Sequence, residues 1–122
     1  MPYTILYIED NPDNRLLVKR ALEARGYQFV GAQNGLEGLD LTSAKQPDII
    51  LLDINLPDIS GIDLLTSIKK DSNLCDIPVV ILTGSNEDQD IQKSYDLGAG
   101  SYLVKPISND ALMLVIEKLF YP

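Results

Sequence analysis

The chain has 122 residues, the size of one ordinary domain, and at 45% hydrophobic residues it is apolar enough to bury a core. Ten Lys and Arg against 18 Asp and Glu leave a net charge of −8, which argues against direct binding to a polyanion such as DNA. With no His the chain has no imidazole acid-base group, no histidine metal ligand and no phosphohistidine of its own, and with the single Cys75 it has no intrachain disulfide and no multi-cysteine metal site.

The first apolar run, Ile5–Ile8, is short and β-rich enough to be a buried strand. A helical pattern follows over Pro12–Arg25, with Asn11 as cap, Pro12 at the first helical position and Gly26 closing it. A second strand over Phe29–Ala32 precedes a helix over Leu36–Lys45 that ends before Pro47. The third strand, Ile49–Leu52, leads to a helix over Ile62–Lys70, and the fourth, Val79–Leu82, to a helix over Asp88–Leu97 closed by Gly98. Ser85 and Asp88 have capping-box spacing at the start of that helix. The fifth strand, Tyr102–Val104, runs into a last helix over Asp110–Leu119 with Ser108 as its cap. Strict alternation predicts a parallel sheet with helices on both faces, because right-handed crossovers lay each helix against the sheet. The expected class is therefore a doubly wound five-stranded α/β fold.

Four of the five apolar runs end in polar groups at their carboxyl ends: Glu9 and Asp10, Asp53, Thr83, and Lys105. The second ends in Gln33 and Asn34 and carries no charge. In open α/β sheets the ligand crevice lies outside the carboxyl ends of the strands, so these residues are expected to converge on one site. Each alone reads as the solvated first residue of a loop; four strands ending this way point to function. Carboxylates at adjacent strand ends repel one another and raise each other's pKa unless a cation sits among them. With no His and no suitable Cys the ligands are oxygens, which selects a hard, partly hydrated Mg²⁺ or Mn²⁺; no dedicated calcium loop is present. An ammonium and a hydroxyl facing such an ion neutralise phosphoryl oxygens, so Lys105 and Thr83 point to phosphate. There is no P-loop and no G-x-G-x-x-G, which places the phosphoryl group on the protein itself, with Asp53 as a carboxylate nucleophile.

At the Glu9-Asp10 pair, Asp53 in LLDINLPDISG, Thr83-Gly84, and Lys105-Pro106 preceded by Tyr102, the sequence resembles the receiver domain of bacterial-type two-component response regulators, the group that includes the chemotaxis regulator. The resemblance runs from Tyr3 to about Leu119 and implies a flavodoxin-like sheet of order 2-1-3-4-5. Residues 1–122 are expected to be a single receiver domain, with no output domain after the last helix, as a single-domain regulator, a relay intermediate or a receiver from a larger protein. Asp53 would be the phosphoacceptor, charged by a sensor histidine kinase or a histidine phosphotransfer protein. Asp10 would bind Mg²⁺ directly, Glu9 through a water, and Asn55 through its backbone carbonyl, while Lys105 and Thr83 hold the phosphoryl oxygens. Family members switch when the Thr hydroxyl is drawn to the phosphoryl group and the aromatic at the Tyr102 position turns inward, reshaping the face of the fourth helix, fifth strand and fifth helix. The Lys105-Pro106 bond is usually cis in such proteins. Glu9 stands where Asp is often found, and Asn55 and Ser85 occupy positions that flank the attacking water.

Tyr102 reads equally as a strand aromatic packed on the sheet and as the switch. Pro57 and Gly61 read as turn chemistry, Gly61 allowing backbone geometry that a β-carbon forbids. In the last helix Leu112, Val115, Ile116 and Leu119 have core spacing, which leaves Leu114, Phe120 and Tyr121 for a protein contact. The fourth helix carries Ile91, Tyr95 and Leu97 beside Asp88, Asp90 and Asp96 and is expected to be weakly packed and movable. That face is the expected output surface, for a downstream protein or for a homodimer. Two other readings are a Mg²⁺-dependent phosphatase of the haloacid-dehalogenase type and a flavin binder. The first wants a second Asp where this chain has Asn55, and the second is disfavoured by the clustered carboxylates. Cys75 reads as a small, partly buried apolar residue. With no apolar run of about 18 residues and no signal-peptide pattern, a cytoplasmic protein without a membrane partner is expected, acting on no substrate beyond its own phosphotransfer and autodephosphorylation.

Overall fold

Each of five short strands is followed by a helix in the computed structural model, which describes residues 2–84 and 88–121. In chain order these are β1 (Thr4–Ile8), α1 (Pro12–Ala24), β2 (Gln28–Ala32), α2 (Gly35–Lys45), β3 (Ile49–Asp53), α3 (Gly61–Lys70), β4 (Val79–Thr83), α4 (Asp88–Asp96), β5 (Ser101–Val104) and α5 (Asn109–Phe120). All pairings are parallel and the order is β2-β1-β3-β4-β5, the doubly wound sheet expected from the alternation. The observed bounds differ from the sequence reading by a residue or so at the element ends, where capping rather than hydrophobic periodicity decides.

The sheet is covered on both faces, which is why its strands are continuous apolar runs. Successive side chains alternate: Ile5 and Tyr7 join Ile49, Leu51, Val80 and Leu82 on the face beneath Val18 and Leu22 of α1 and Leu112, Met113 and Ile116 of α5. Leu6 and Ile8 join Ile50, Leu52, Val79 and Ile81 on the other face, beneath Leu64, Leu65 and Ile68 of α3. Helix starts are chemically fixed. Asn11 Oδ1 accepts from the N–H groups of Asp13 and Asn14, and Ser108 Oγ from that of Ala111, as expected, and Asn34 and Ser60 do the same for α2 and α3. The Ser85 cap lies outside the described residues, as do the side chains of Asp88, Asp90 and Ile91.

One expectation about α5 is corrected. Phe120 is not left over: it stacks on Tyr3 with ring centroids 3.8 Å apart and packs against Tyr27, closing the core at the amino ends of the strands. The buried arc of a helix is wider than an i, i+3, i+4 stripe, so Met113 is buried on α5 beside Leu112 and Ile116 while Val115 is only half-buried. Leu114 and Tyr121 remain exposed.

The loop between β3 and α3 is tied to α2 by a side chain. Asp58 accepts from the Gly35 N–H at 2.7 Å and the Leu36 N–H at 2.9 Å, satisfying two orphan donors at the first turn of α2. Desolvation of the Asp58 carboxyl is outweighed by the backbone donors together, which hold it below the usual aspartate range. A depressed acid stabilises the fold above its unfolded pKa and loses that contribution as pH falls through its folded pKa. Asp58→Asn is therefore expected to lower the urea midpoint at neutral pH, with the gap to the parent chain closing in acid. Urea titrations across pH check this, and a gap independent of pH counts against it.

Candidate functional site

The carboxyl ends of β1, β3 and β4 and the residue after β5 supply the site. Register places Ile8 of β1 beside Leu52 of β3, so Glu9 and Asp53 leave the sheet as neighbours. Glu9 is buried at 1% exposure and Asp53 at 3%, whereas Asp10 faces solvent at the mouth. One carboxylate oxygen from each of Glu9, Asp10 and Asp53 lies within 4.8 Å of the others. Lys105 reaches across from the end of β5, its Nζ donating to Glu9 Oε2 at 2.7 Å and to Asp53 Oδ2 at 3.0 Å. Its own backbone N–H donates to the Thr83 carbonyl at 2.7 Å, which registers the β5 exit against the end of β4. Thr83 is buried, and the Lys105-Pro106 bond is cis, as the resemblance implies.

A layer of further contacts holds the acids. Glu9 Oε2 accepts from the Tyr7 hydroxyl at 3.2 Å, and its Oε1 from Asn14 Nδ2 at 3.3 Å, while Arg15 donates to the Glu9 carbonyl at 2.5 Å. Asp53 Oδ1 accepts from the Asn55 N–H at 3.1 Å. Gly61 matters through close approach: a β-carbon there would lie 2.5 Å from the Asp53 carbonyl oxygen and 2.6 Å from Ile54 Cα. The backbone of α3 thus presses directly on the strand end that carries Asp53.

Burial pushes the Asp53 carboxyl up to about 6, and the neighbouring Glu9 adds to that, against the Asn55 N–H and Lys105, which favour ionisation. For Glu9 burial works the same way but is outweighed by Lys105, Asp53 and Asn14, which leave it below the usual glutamate range. Desolvation of Lys105 is likewise outweighed, by Glu9 and Asp53, and its ammonium is held above the ordinary lysine value. One ammonium faces three carboxylates, so the site is short of positive charge. Its donors are all carboxylate oxygens, which fits a hard divalent cation.

Of the residues expected from sequence, Glu9, Asp10, Asp53 and Lys105 are brought together, Asn55 joins them through its backbone N–H, and Thr83 ends the adjacent strand. Tyr102 is half-buried on β5, packed against the α3-side core with its ring edge-on to Tyr95 of α4 at 5.9 Å. Tyr95 of α4 and Leu114 of α5 are exposed. Sequence reasoning missed Tyr7 and Asn14; the available signal was that Tyr7 sits two residues before Glu9 on a strand, hence on its face. Between α1 and the start of α5 a cavity of about 640 Å³ opens beside the acids, lined by Tyr7, Asn14, Leu17, Lys105, Ile107 and Leu112 among others.

This sheet order, with an acid trio and a lysine at the strand ends, defines a receiver domain, and the chain belongs to the response regulator receiver domain family, whose model matches residues 5–117. It is similar to the polar-differentiation response regulator DivK of Brucella anthropi, 39% identical over 108 residues that span 88% of each chain. Among solved structures it is similar to the receiver domain of a signal transduction histidine kinase from Syntrophus aciditrophicus, 32% identical with a TM-score of 0.87 over 96% of this chain and 89% of that one. It is also similar to the Mn²⁺-bound form of the response regulator Rcp1, 31% identical with a TM-score of 0.83 over 98% and 94%. The protein is thus a phosphorylation-dependent signalling receiver, and the Glu9, Asp10 and Asp53 cluster fits its phosphorylation site.

A raised carboxyl pKa means that protonated Asp53 favours the fold: its contribution is complete below the unfolded value of 3.8 and is lost as pH rises through about 6. Asp53→Asn, which mimics the protonated acid, is expected to raise the urea midpoint above pH 7. The gain should vanish near pH 4, the ordinary aspartate range. Equal midpoints at all pH values would contradict the raised pKa.

Proposed function

We propose that Asp53 accepts the phosphoryl group from a phosphohistidine on a sensor histidine kinase or a histidine phosphotransfer protein. The observation that carries this is the buried Asp53 carboxylate, held between the acids of β1 and the Lys105 ammonium. An Asp53 oxygen attacks phosphorus, the phosphorus–nitrogen bond breaks, and the donor's imidazole leaves. Lys105, already 3.0 Å from Asp53 Oδ2, takes a phosphoryl oxygen, and Thr83, ending the next strand, supplies its hydroxyl to another. Asp10 and Asp53, the Asn55 carbonyl, and Glu9 through a water would hold Mg²⁺ or Mn²⁺. Such an ion, when bound, neutralises the charge on the transferring phosphoryl oxygens. The Mn²⁺ in the related Rcp1 structure supports this reading.

Residues 1–122 act in this reading as one receiver domain whose output is a protein contact. Drawing Thr83 toward the phosphoryl group lets Tyr102 turn inward away from Tyr95, which reshapes the α4-β5-α5 face. Exposed Leu114 and Tyr95 are the apolar anchors there, for a downstream protein or a second copy. The net charge of −8 disfavours direct nucleic-acid binding, and among the described residues no helix is long and apolar enough to cross a membrane. We place the protein in the cytoplasm. Signalling is favoured over phosphatase chemistry because Asn55 stands where the haloacid-dehalogenase type carries its second Asp.

Incubation with acetyl phosphate and Mg²⁺ is expected to add one acid-stable, base-labile phosphoryl group, read by intact mass spectrometry, and to add none to Asp53→Asn or without Mg²⁺. An unmodified chain under saturating donor overturns the proposal, and steady hydrolysis of small phosphate esters favours the phosphatase. The double variant Tyr95→Ala, Leu114→Ala is expected to weaken association of the phosphorylated chain with itself or its target, followed by sedimentation. The adduct should survive in that variant; its loss would count against an output role for these residues.

A further inference from the structure

Tyr7 is a fully buried phenol among the aliphatic Ile5, Leu6 and Ile8 of β1, and its hydroxyl donates to the Glu9 carboxylate. Side chains two residues apart on a strand share a face at roughly 7 Å separation, which a tyrosine spans and an aliphatic residue does not. Its hydroxyl donates to Glu9 Oε2 at 3.2 Å, the same oxygen that receives Lys105 at 2.7 Å. The other oxygen, Oε1, is met by Asn14 Nδ2 at 3.3 Å and the Asn11 N–H at 3.4 Å. Packing beneath α1 and α5 would be served equally by a phenylalanine, so packing leaves the hydroxyl unexplained.

We propose that Tyr7 is a positioning residue of the phosphorylation site, its hydroxyl holding the Glu9 carboxylate in place together with Lys105, and alone on Oε2 when Lys105 lets go. The proposal rests on the reading of Glu9, Asp10 and Asp53 as the cation site and of Asp53 as phosphoacceptor. One ammonium bridges two acids, and when it is drawn to a phosphoryl oxygen on Asp53 its bond to Glu9 is the one that opens. Without the phenol a carboxylate 1% exposed would then have donors on Oε1 alone, and a buried ionised oxygen without a donor is costly. Tyr7 supplies that donor from a fixed place, since β1 lies between β2 and β3 with Tyr7 in register with Gly31 and Leu51.

The test is Mg²⁺ affinity by calorimetry in the native chain, Tyr7→Phe, Glu9→Gln and the double variant. Loss of a partner of a direct ligand costs about 10–100-fold in metal affinity, and because Glu9 acts through a water and keeps Lys105 on Oε2, Tyr7→Phe is expected to weaken Mg²⁺ by a few-fold, up to about tenfold. In the Glu9→Gln background it should have little further effect. Unchanged affinity in Tyr7→Phe, or an equal loss without Glu9, overturns the positioning role alone. No saturable Mg²⁺ binding by the native chain overturns that role together with the reading beneath it. On the unsubstituted chain the Tyr7 ζ-carbon resonance is expected to shift on acetyl-phosphate labelling as Lys105 leaves Oε2. A resonance that does not move on labelling overturns the proposal even if Tyr7→Phe fails to fold.

Discussion

The Lys105 ammonium between Glu9 and Asp53 is the interaction on which the rest of the structure depends. Two carboxylates within 4.8 Å repel by roughly 3 kcal/mol at an effective dielectric near 20, a sizeable share of the about 5–15 kcal/mol that holds a domain folded. The parallel order β2-β1-β3-β4-β5 forces this meeting, because it stacks the carboxyl ends of β1 and β3 side by side. Lys105 relieves part of the repulsion, and what is left adds to the burial that holds the Asp53 carboxyl up at about 6. That remainder is what a divalent cation or a transferred phosphoryl group can exploit: both bring new partners to groups that the fold leaves under-compensated.

Rigidity around this charge cluster comes from the layer behind it. Glu9 is fastened by Tyr7, Asn14 and Arg15, and the loop after Asp53 is fastened at both ends, by Gly61 against the β3 backbone and by Asp58 on the first turn of α2. Reactive groups set on strand ends and braced in this way hold their geometry better than groups on open loops. The α4-β5-α5 face is built differently. There Tyr102 is half-buried and touches Tyr95 edge-on, and Tyr95 and Leu114 lie exposed. A braced site therefore stands beside a more lightly covered face, and such lightly packed elements lie at the low-stability end of a fold.

Much of this was legible in the residue order. Short β-rich runs alternating with amphipathic stretches name a doubly wound fold, and Asn11 and Ser108 announce their helix starts. The acids at Glu9, Asp10 and Asp53 and the lysine at Lys105 were legible because each follows an apolar run. Phe120 was misjudged because its partners, Tyr3 and Tyr27, lie about a hundred residues away in the chain and meet it only at the amino end of the sheet. Asp58 drew no notice in the residue order, because the helix whose N–H groups it meets is not the one that follows it. Tyr7 looked like core, since burial is all that periodicity reports.

The sequence by itself determined the alternation, hence the parallel sheet, and through it the end of the molecule at which the chemistry gathers. Both follow from local rules: strand and helix periods are written in neighbouring residues, and right-handed crossovers leave one arrangement for them. The tertiary structure alone decided that Lys105 bridges two acids, that Tyr7 and Lys105 share one oxygen of Glu9, and that Asp53 ionises near 6 rather than near 4. Those depend on distances of a few ångströms between groups up to 96 residues apart and on the water that burial removes, which no local pattern encodes.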